Sequence, residues 1–535
     1  MQPGGVIGFN DEFVGHRAHD SGVTKFKEFL SLAAEKDCDL VLSPEYSCPW
    51  ASLEHAIGQG SLPKEGKLWA LGCEAITRDE LEAIKIRLPN MMWIHEPLPR
   101  TAGRFLDVLC YVFKTKSKAG VVKNIALLQF KTQAMVDPEL AWERDRLIVG
   151  KTIYFLHNPK DTIRLMTLIC SDSLEFNPHN DDCRMDLHPY VLFHPQLCNN
   201  PRHPAIRNYR TALFMAEPSK STEVIVLNWA HQFKIEQLTS PYGGSTIYLK
   251  SSQFNRADGS LDANHQLGLY YANWEGQRTD MCLLNYDEHI FHIRTQKVVS
   301  TGKAAPANRT GPAMVALFDW DVGRNRWVGC EHAEDGFAAL CDSYQQNPID
   351  WCVGAPFTSV DRERLLTLSA GKLEPTVNWH EVQSLGSFAA EEDERTKRLT
   401  FVQEQSADSI GFRNEHLTRY ITLQKTILPD TTQYPPNIED LKGDCELGPP
   451  SPVSQFRFNL KSKSGTRQGA TGIFLDQQPP DEVEKLKGKF VAEWGRENTR
   501  RLALWYRHGE VIKCSHPPLA SISDDGEHPA SIARS

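Results

Sequence analysis

Along the first 330 or so positions, apolar residues alternate between two rhythms. Compact runs of strand length include GVIGF (5–9), CDLVLSPE (38–45), LDVLCYVFK (106–114), VVKNIALLQF (121–130), TIYFLH (152–157), TIRLMTLIC (162–170), YVLFH (190–194) and EVIVLNWA (223–230). Between them lie stretches with helical spacing. Val23, Phe26, Phe29, Leu30 and Ala33 fall on one helical face, as do Ile206, Tyr209, Leu213 and Phe214. Thr77 and Glu80 have the spacing of a capping box that opens the helix RDELEAIKIRL, and Pro89 closes it. Strands flanked by helices in this way predict an α/β layered domain.

Past residue 335 the pattern changes. NWHEVQSLGSFAAEEDERTKRLTFVQEQ (378–405) is charged and helical, DCELGPPSPVSQ (444–455) reads as a linker, and PDEVEKLKGKFVAEW (480–494) is again helical. LALWYRHGEVIKC (502–514) has the form of a hairpin turning at His508–Gly509. The predicted organisation is an α/β domain over 1–335 and a helical accessory region over 336–443. A linker over 444–455, a small α+β region over 456–515 and a disordered tail over 516–535 follow. The C-terminal part is therefore mixed and mainly helical. It is read as covering a site, mediating self-association or binding a protein partner.

Composition narrows the function. A net charge of −9 argues against general nucleic-acid binding, which needs clustered Lys and Arg. The basic RFNLKSKSGTRQG (457–469) reads as a solvated loop. No run of about 18 apolar residues exists, so no membrane span is expected. MQPGGVIGFNDEF is not the pattern of a signal peptide. The 13 cysteines form no C-x-x-C pair and no zinc spacing, which suits reduced thiols in a cytoplasm. His179, His188, His194 and His203, with Asp181, Asp182 and Cys183, fit no common metal-ligand pattern and read as a polar loop, so no metal is expected.

Three polar residues each close an apolar run: Glu45 after DLVLSP, Lys131 after NIALLQF and Cys170 after IRLMTLI. A thiol near pKa 8.5 is only a few per cent ionised at neutral pH, so a cysteine nucleophile needs a base such as Glu45. An ammonium can then steady the oxyanion that forms. Ser171-Asp172-Ser173 after Cys170 suggests a strand-to-helix turn, where the Ser171 N–H is a second oxyanion donor. Taken singly, each residue has a plain alternative: a buried structural cysteine, a surface carboxylate, an exposed lysine.

The set resembles the carbon–nitrogen hydrolase (nitrilase) superfamily, whose Glu, Lys and Cys occur in this order at strand ends. LVLSPEYS, ALLQFK and LMTLICSDSLEF are similar to its three motifs, with Asp172 as the acid two positions past the cysteine. VIVLNWA and YGGSTIY are similar to its late Asn and Gly-Gly-Ser segments. The resemblance implies a four-layer αββα sandwich over roughly residues 5–330, a homo-oligomer, and no organic cofactor or metal. It also implies a second glutamate after the lysine, which Glu143 suits best, with Glu139 as the alternative. The motifs depart from the family at KTQAM after the lysine, at Ser171, and at SLEF. The resulting expectation is hydrolysis of a small-molecule amide or nitrile through a cysteine thioester. The same thioester passed to an amine (acyl transfer), and a non-catalytic scaffold, are the rival readings.

Overall fold

The computed structural model describes residues 1–98, 104–117, 119–135, 141–158, 163–177, 190–198, 204–215, 222–230, 233–236, 238–239, 244–250, 264, 266–274, 279–296, 310–331, 365–366, 368–370, 407–448 and 458–518. The chain divides into two compact units. One comprises Met1–Glu363 with Glu381–Asn414, the other Arg364–His380 with Glu415–Ser535.

The first unit is mixed α/β, built on two large sheets. Its strands are β1 (Leu40–Cys48), β2 (Leu68–Ile76), β3 (Met91–Ile94), β4 (Leu106–Lys116) and β5 (Val122–Phe130). They continue with β6 (Phe155–His157), β7 (Arg164–Thr167), β8 (Tyr190–Pro195), β9 (Glu223–Leu227), β10 (Thr246–Lys250), β11 (Leu269–Trp274) and β12 (Thr279–Leu284). Five form one sheet in the order β1-β2-β4-β5-β3, and seven form the other in the order β11-β12-β10-β9-β8-β7-β6.

Alternation along the strands sorts side chains to two faces. Ala70, Leu109, Tyr111, Ile125 and Leu127 of the first sheet share an apolar cluster with Leu165, Phe193 and Leu227 of the second. The opposite face of the first sheet (Trp69, Leu71, Val108, Val112, Leu128) packs on Phe26, Phe29, Leu53, Leu81 and Ile84, from the helices His19–Glu35, Trp50–Gly58 and Arg78–Arg87. The far face of the second (Met166, Leu192, Val224, Met281, Leu283) packs on Tyr209 and Leu213 of the helix Pro204–Met215. Of the stripes anticipated from spacing, Phe26, Phe29, Leu30 and Ala33 are buried in one helix and Ile206, Tyr209 and Leu213 in the other; Val23 is half-buried, and the Phe214 side chain lies outside the described residues. The Thr77–Glu80 capping box is present in both directions.

β1 lies parallel to β2, and β5 runs the same way because both β2 and β5 are antiparallel to β4. In the second sheet β7, β8 and β9 are mutually parallel. The segments that follow β5, β7, β8 and β9, and the last residues of β1, supply the side chains and N–H groups of the site.

The second unit is smaller. Strands Thr471–Gln477 and Leu502–His508 pair in parallel, and the helix Pro480–Thr499 makes the crossover that parallel pairing demands. Val511–Ser515 returns antiparallel, with His508 opposite Val511 and Gly509 at φ +64, so the anticipated hairpin turns through Gly509–Glu510. The stretch read as a linker opens with a strand, Cys445–Leu447, which pairs with Leu460–Ser462. Trp505 is fully buried in the core of this unit and donates its indole N–H to the Gln433 carbonyl. Among the described residues no helix is long and apolar enough to cross a membrane.

Candidate active site

Pro44 has no N–H to give the ladder, and the β1–β2 register breaks between Ser43 and Cys48. The backbone bulges there toward Gly72, and Tyr46 takes a left-handed conformation at φ +56. The bulge turns Glu45 inward. Its carboxylate is 1% exposed and accepts Lys131 Nζ at 2.7 Å on Oε1 and the Leu197 N–H at 2.6 Å on Oε2. The Glu45 carbonyl accepts the Trp229 indole N–H at 2.9 Å. Asn228, one residue earlier, holds both the N–H and the carbonyl of Cys198.

Lys131 leaves the end of β5 and is equally buried. Its Nζ donates to Glu143 Oε1 at 2.6 Å as well as to Glu45. Glu143 also accepts the Tyr46 hydroxyl at 2.8 Å and the Met135 N–H at 2.6 Å. Burial alone would lower the lysine's pKa; the charges of Glu143 and Glu45 outweigh it and hold the ammonium well above its usual range. Glu143, one of the two candidates for a second glutamate, is thus hydrogen-bonded to Lys131. Glu139 lies outside the described residues.

Cys170 begins a 3₁₀ turn, Cys170–Leu174, directly after β7 and two further residues. It too is left-handed, at φ +41, a conformation that costs a non-glycine residue about 1–3 kcal/mol and is held by its surroundings. Its carbonyl lies 2.9 Å from His194 Nε2 and also accepts the Ser173 hydroxyl. Burial keeps His194 neutral, down to about 4, so Nε2 carries the proton it donates. Burial also pushes the Cys170 thiol well up, the Glu45 charge adds to this, and Lys131 opposes it. The resting sulfur is therefore a thiol, and its ionisation must be coupled to a base.

Asp172 ties the two halves of the site together. Its Oδ1 accepts the Thr132 N–H, the Thr132 hydroxyl and the Gln133 N–H, and its Oδ2 accepts the Ile169 N–H. Burial pushes this carboxyl up to about 6 against the pull of Lys131 and Thr132, leaving it ionised at neutral pH. Ser171 adds a bond from its hydroxyl to the Gln133 carbonyl. Thr132 and Gln133, where the sequence departs from the family motif, are thus the partners of Asp172.

Two residues of the site went unnoticed in the sequence. Asp107 on β4 is 1% exposed, and its Oδ2 lies 3.8 Å from Lys131 Nζ. The visible signal was a lone acid inside LDVLCYVFK. His194 was grouped with the nearby histidines, but it anchors a carbonyl. His179, His188 and His203, with Asp181, Asp182 and Cys183, lie outside the described residues. Glu45, Asp107 and Glu143 have oxygens close enough together to suit a cation, yet the Lys131 ammonium already stands among them.

No family model matches the chain, and no curated protein is similar to it in sequence. Among solved structures it is similar to an amidase of the nitrilase superfamily from Nesterenkonia sp. AN1. The identity is 10%, over 46% of this chain and 84% of that one, with a TM-score of 0.25. A variant of that amidase carrying acrylamide at its active-site cysteine matches at 10% identity, over 45% of this chain and 83% of the other, with a TM-score of 0.26. The glutamine-dependent NAD+ synthetase from Acinetobacter baumannii matches at 10% identity and a TM-score of 0.24, over 59% of this chain and 45% of its own. What bears on the chemistry of this chain is the buried arrangement of Glu45, Lys131, Glu143 and Cys170.

Proposed function

We propose that the first unit is a four-layer αββα carbon–nitrogen hydrolase that cleaves a small-molecule amide or nitrile through a thioester on Cys170. The observation that carries this reading is Lys131, whose buried ammonium is hydrogen-bonded to both Glu45 and Glu143 and lowers the cost of ionising Cys170.

For an amide, Glu45 takes the thiol proton as the sulfur attacks the carbonyl carbon. The carbonyl electrons move to oxygen, and Lys131 with the Ser171 N–H holds that oxyanion. Loss of one such donor typically slows acyl transfer by about 10²–10³. The C–N bond breaks as Glu45 returns the proton to the departing amine. A water molecule, deprotonated by the same carboxylate, then attacks the thioester and frees the acid and the thiol. Glu143, fixed by Tyr46 and Met135, orients Lys131. No cofactor enters this sequence.

Mass spectrometry of the intact protein after incubation with a panel of short amides and nitriles tests the proposal. A transient adduct at Cys170, lost in Cys170→Ala and accumulating when water attack is slowed, is the expected result. No adduct with any substrate, and no selective alkylation of Cys170, would remove the hydrolase reading in favour of a scaffold. Adding an amine such as hydroxylamine separates hydrolysis from acyl transfer by the product formed. Self-association of the chain belongs to the same proposal and is read by sedimentation.

A further inference from the structure

The charge around Lys131 does not balance. Glu45, Asp107 and Glu143 are each at most 2% exposed, and their oxygens lie within 4.8 Å of one another. One ammonium against three carboxylates would leave two uncompensated negative charges in a dry pocket, which is strongly unfavourable. At least one of the three must therefore hold a proton.

The hydrogen bonds identify which. Glu45 accepts from Lys131 and the Leu197 N–H, and Glu143 accepts from Lys131, Tyr46 and the Met135 N–H. Asp107 accepts from no side-chain or backbone donor among the described residues, and the ammonium stands 3.8 Å away. The charged groups and the phenol that face it are Glu45 and Tyr46 from β1, Lys131 from the end of β5, and Glu143 from the short helix Ala141–Arg144. An oxygen of Glu45 lies within 4.8 Å of one of Asp107, and the Glu45 charge favours the protonated form of Asp107. Two carboxyl groups at that range bind to each other only when one carries the proton.

Resting on the reaction proposed above, we infer that Asp107 is a positioning residue, an un-ionised carboxylic acid that donates its O–H to Glu45 and so keeps the general base ionised and aimed. Burial is the main force holding the proton on Asp107, and the Glu45 charge adds to it. Asp107 is not consumed and touches no substrate atom. Its effect passes through Glu45, which receives three donors instead of two.

Two variants of the full-length protein and two readouts test this. Asp107→Asn keeps a donor of nearly the same shape, whereas Asp107→Val removes it. An infrared difference spectrum at pH 7 of the wild type against Asp107→Asn carries the carbonyl stretch of an un-ionised carboxyl. Iodoacetamide labelling of Cys170, followed by peptide mass spectrometry across pH, falls off toward acid at the same pH in wild type and Asp107→Asn. In Asp107→Val that fall moves up by about one pH unit, since a hydrogen bond to a charged group is worth about a factor of ten or more. A purely structural aspartate would change the labelling rate or the melting point without moving that limb. Absence of the carboxyl stretch overturns the inference, as does an acid limb that stays put in Asp107→Val. If wild-type Cys170 resists labelling at every pH, the hydrolase reading fails, and the infrared result still decides the state of Asp107.

Discussion

Gly72 leaves no room for a side chain beneath Pro44: a β-carbon on it would stand 2.1 Å from the Pro44 carbonyl oxygen and 2.9 Å from the Glu45 α-carbon. The glycine is the seat on which the β1 bulge rests, so Gly72→Ala must push Glu45 out of place. A displacement near 1 Å in a catalytic group costs on the order of a hundredfold in rate. Cys170 labelling by iodoacetamide in Gly72→Ala is expected to slow at least tenfold while the protein still folds, as circular dichroism would check.

Removing the ammonium should be felt in stability as much as in chemistry. Lys131→Met strands Glu45 and Glu143 without their shared cation, and breaking a buried pair in this way costs about 3–5 kcal/mol. Urea unfolding of the first unit should shift accordingly. The double variant Lys131→Met with Glu143→Gln should recover part of the loss, because one of the stranded charges is gone.

The state of the thiol sets the shape of its reactivity. Burial and Glu45 hold Cys170 protonated, so labelling should climb under alkaline conditions as the thiol itself ionises. Glu45→Gln should slow labelling at pH 7 by about 10² or more, and labelling of Cys48, Cys73 and Cys110, all fully buried, should stay negligible without denaturant.

Glu74 offers a prediction remote from the thiol. It accepts the His16 N–H at 3.1 Å and is 2% exposed, and burial pushes its carboxyl up to about 8. A carboxyl raised in the folded state stabilises fully below its unfolded value of about 4.5 and loses that contribution as pH rises through about 8. Thermal stability should therefore fall between these limits by up to a few kcal/mol. Glu74→Gln, which keeps the acceptor but not the proton, should flatten that slope in a series of melts across pH.

How far the site could be read from the chain depends on where each residue sits in its run. Glu45, Lys131 and Cys170 stand at or just past the point where apolar periodicity stops, and that break is visible locally. Glu143 was reachable only through the resemblance, since nothing in ERDRLIVG marks a glutamate that bends back to a lysine twelve residues earlier. Asp107 is the lone acid inside an apolar run on β4, where nothing local says whether it is structural or functional, and its meaning comes from β1 and β5. His194 ends YVLFH and is indistinguishable by composition from its neighbours until the Cys170 carbonyl is seen beside it. The strand Cys445–Leu447 was hidden in Pro- and Ser-rich surroundings because its partner, Leu460–Ser462, lies beyond them in the chain.

Asp172 gathers backbone donors from both sheets at once: Thr132 and Gln133 follow β5 in one, and Ile169 follows β7 in the other. The sulfur and the ammonium are thereby carried on opposite sides of a seam that one carboxylate rivets shut. Sliding of the two sheets past each other has to tear several bonds from a single residue before it can part nucleophile from cation. The spacing that matters for chemistry is in this way insulated from the breathing of the layers that carry it.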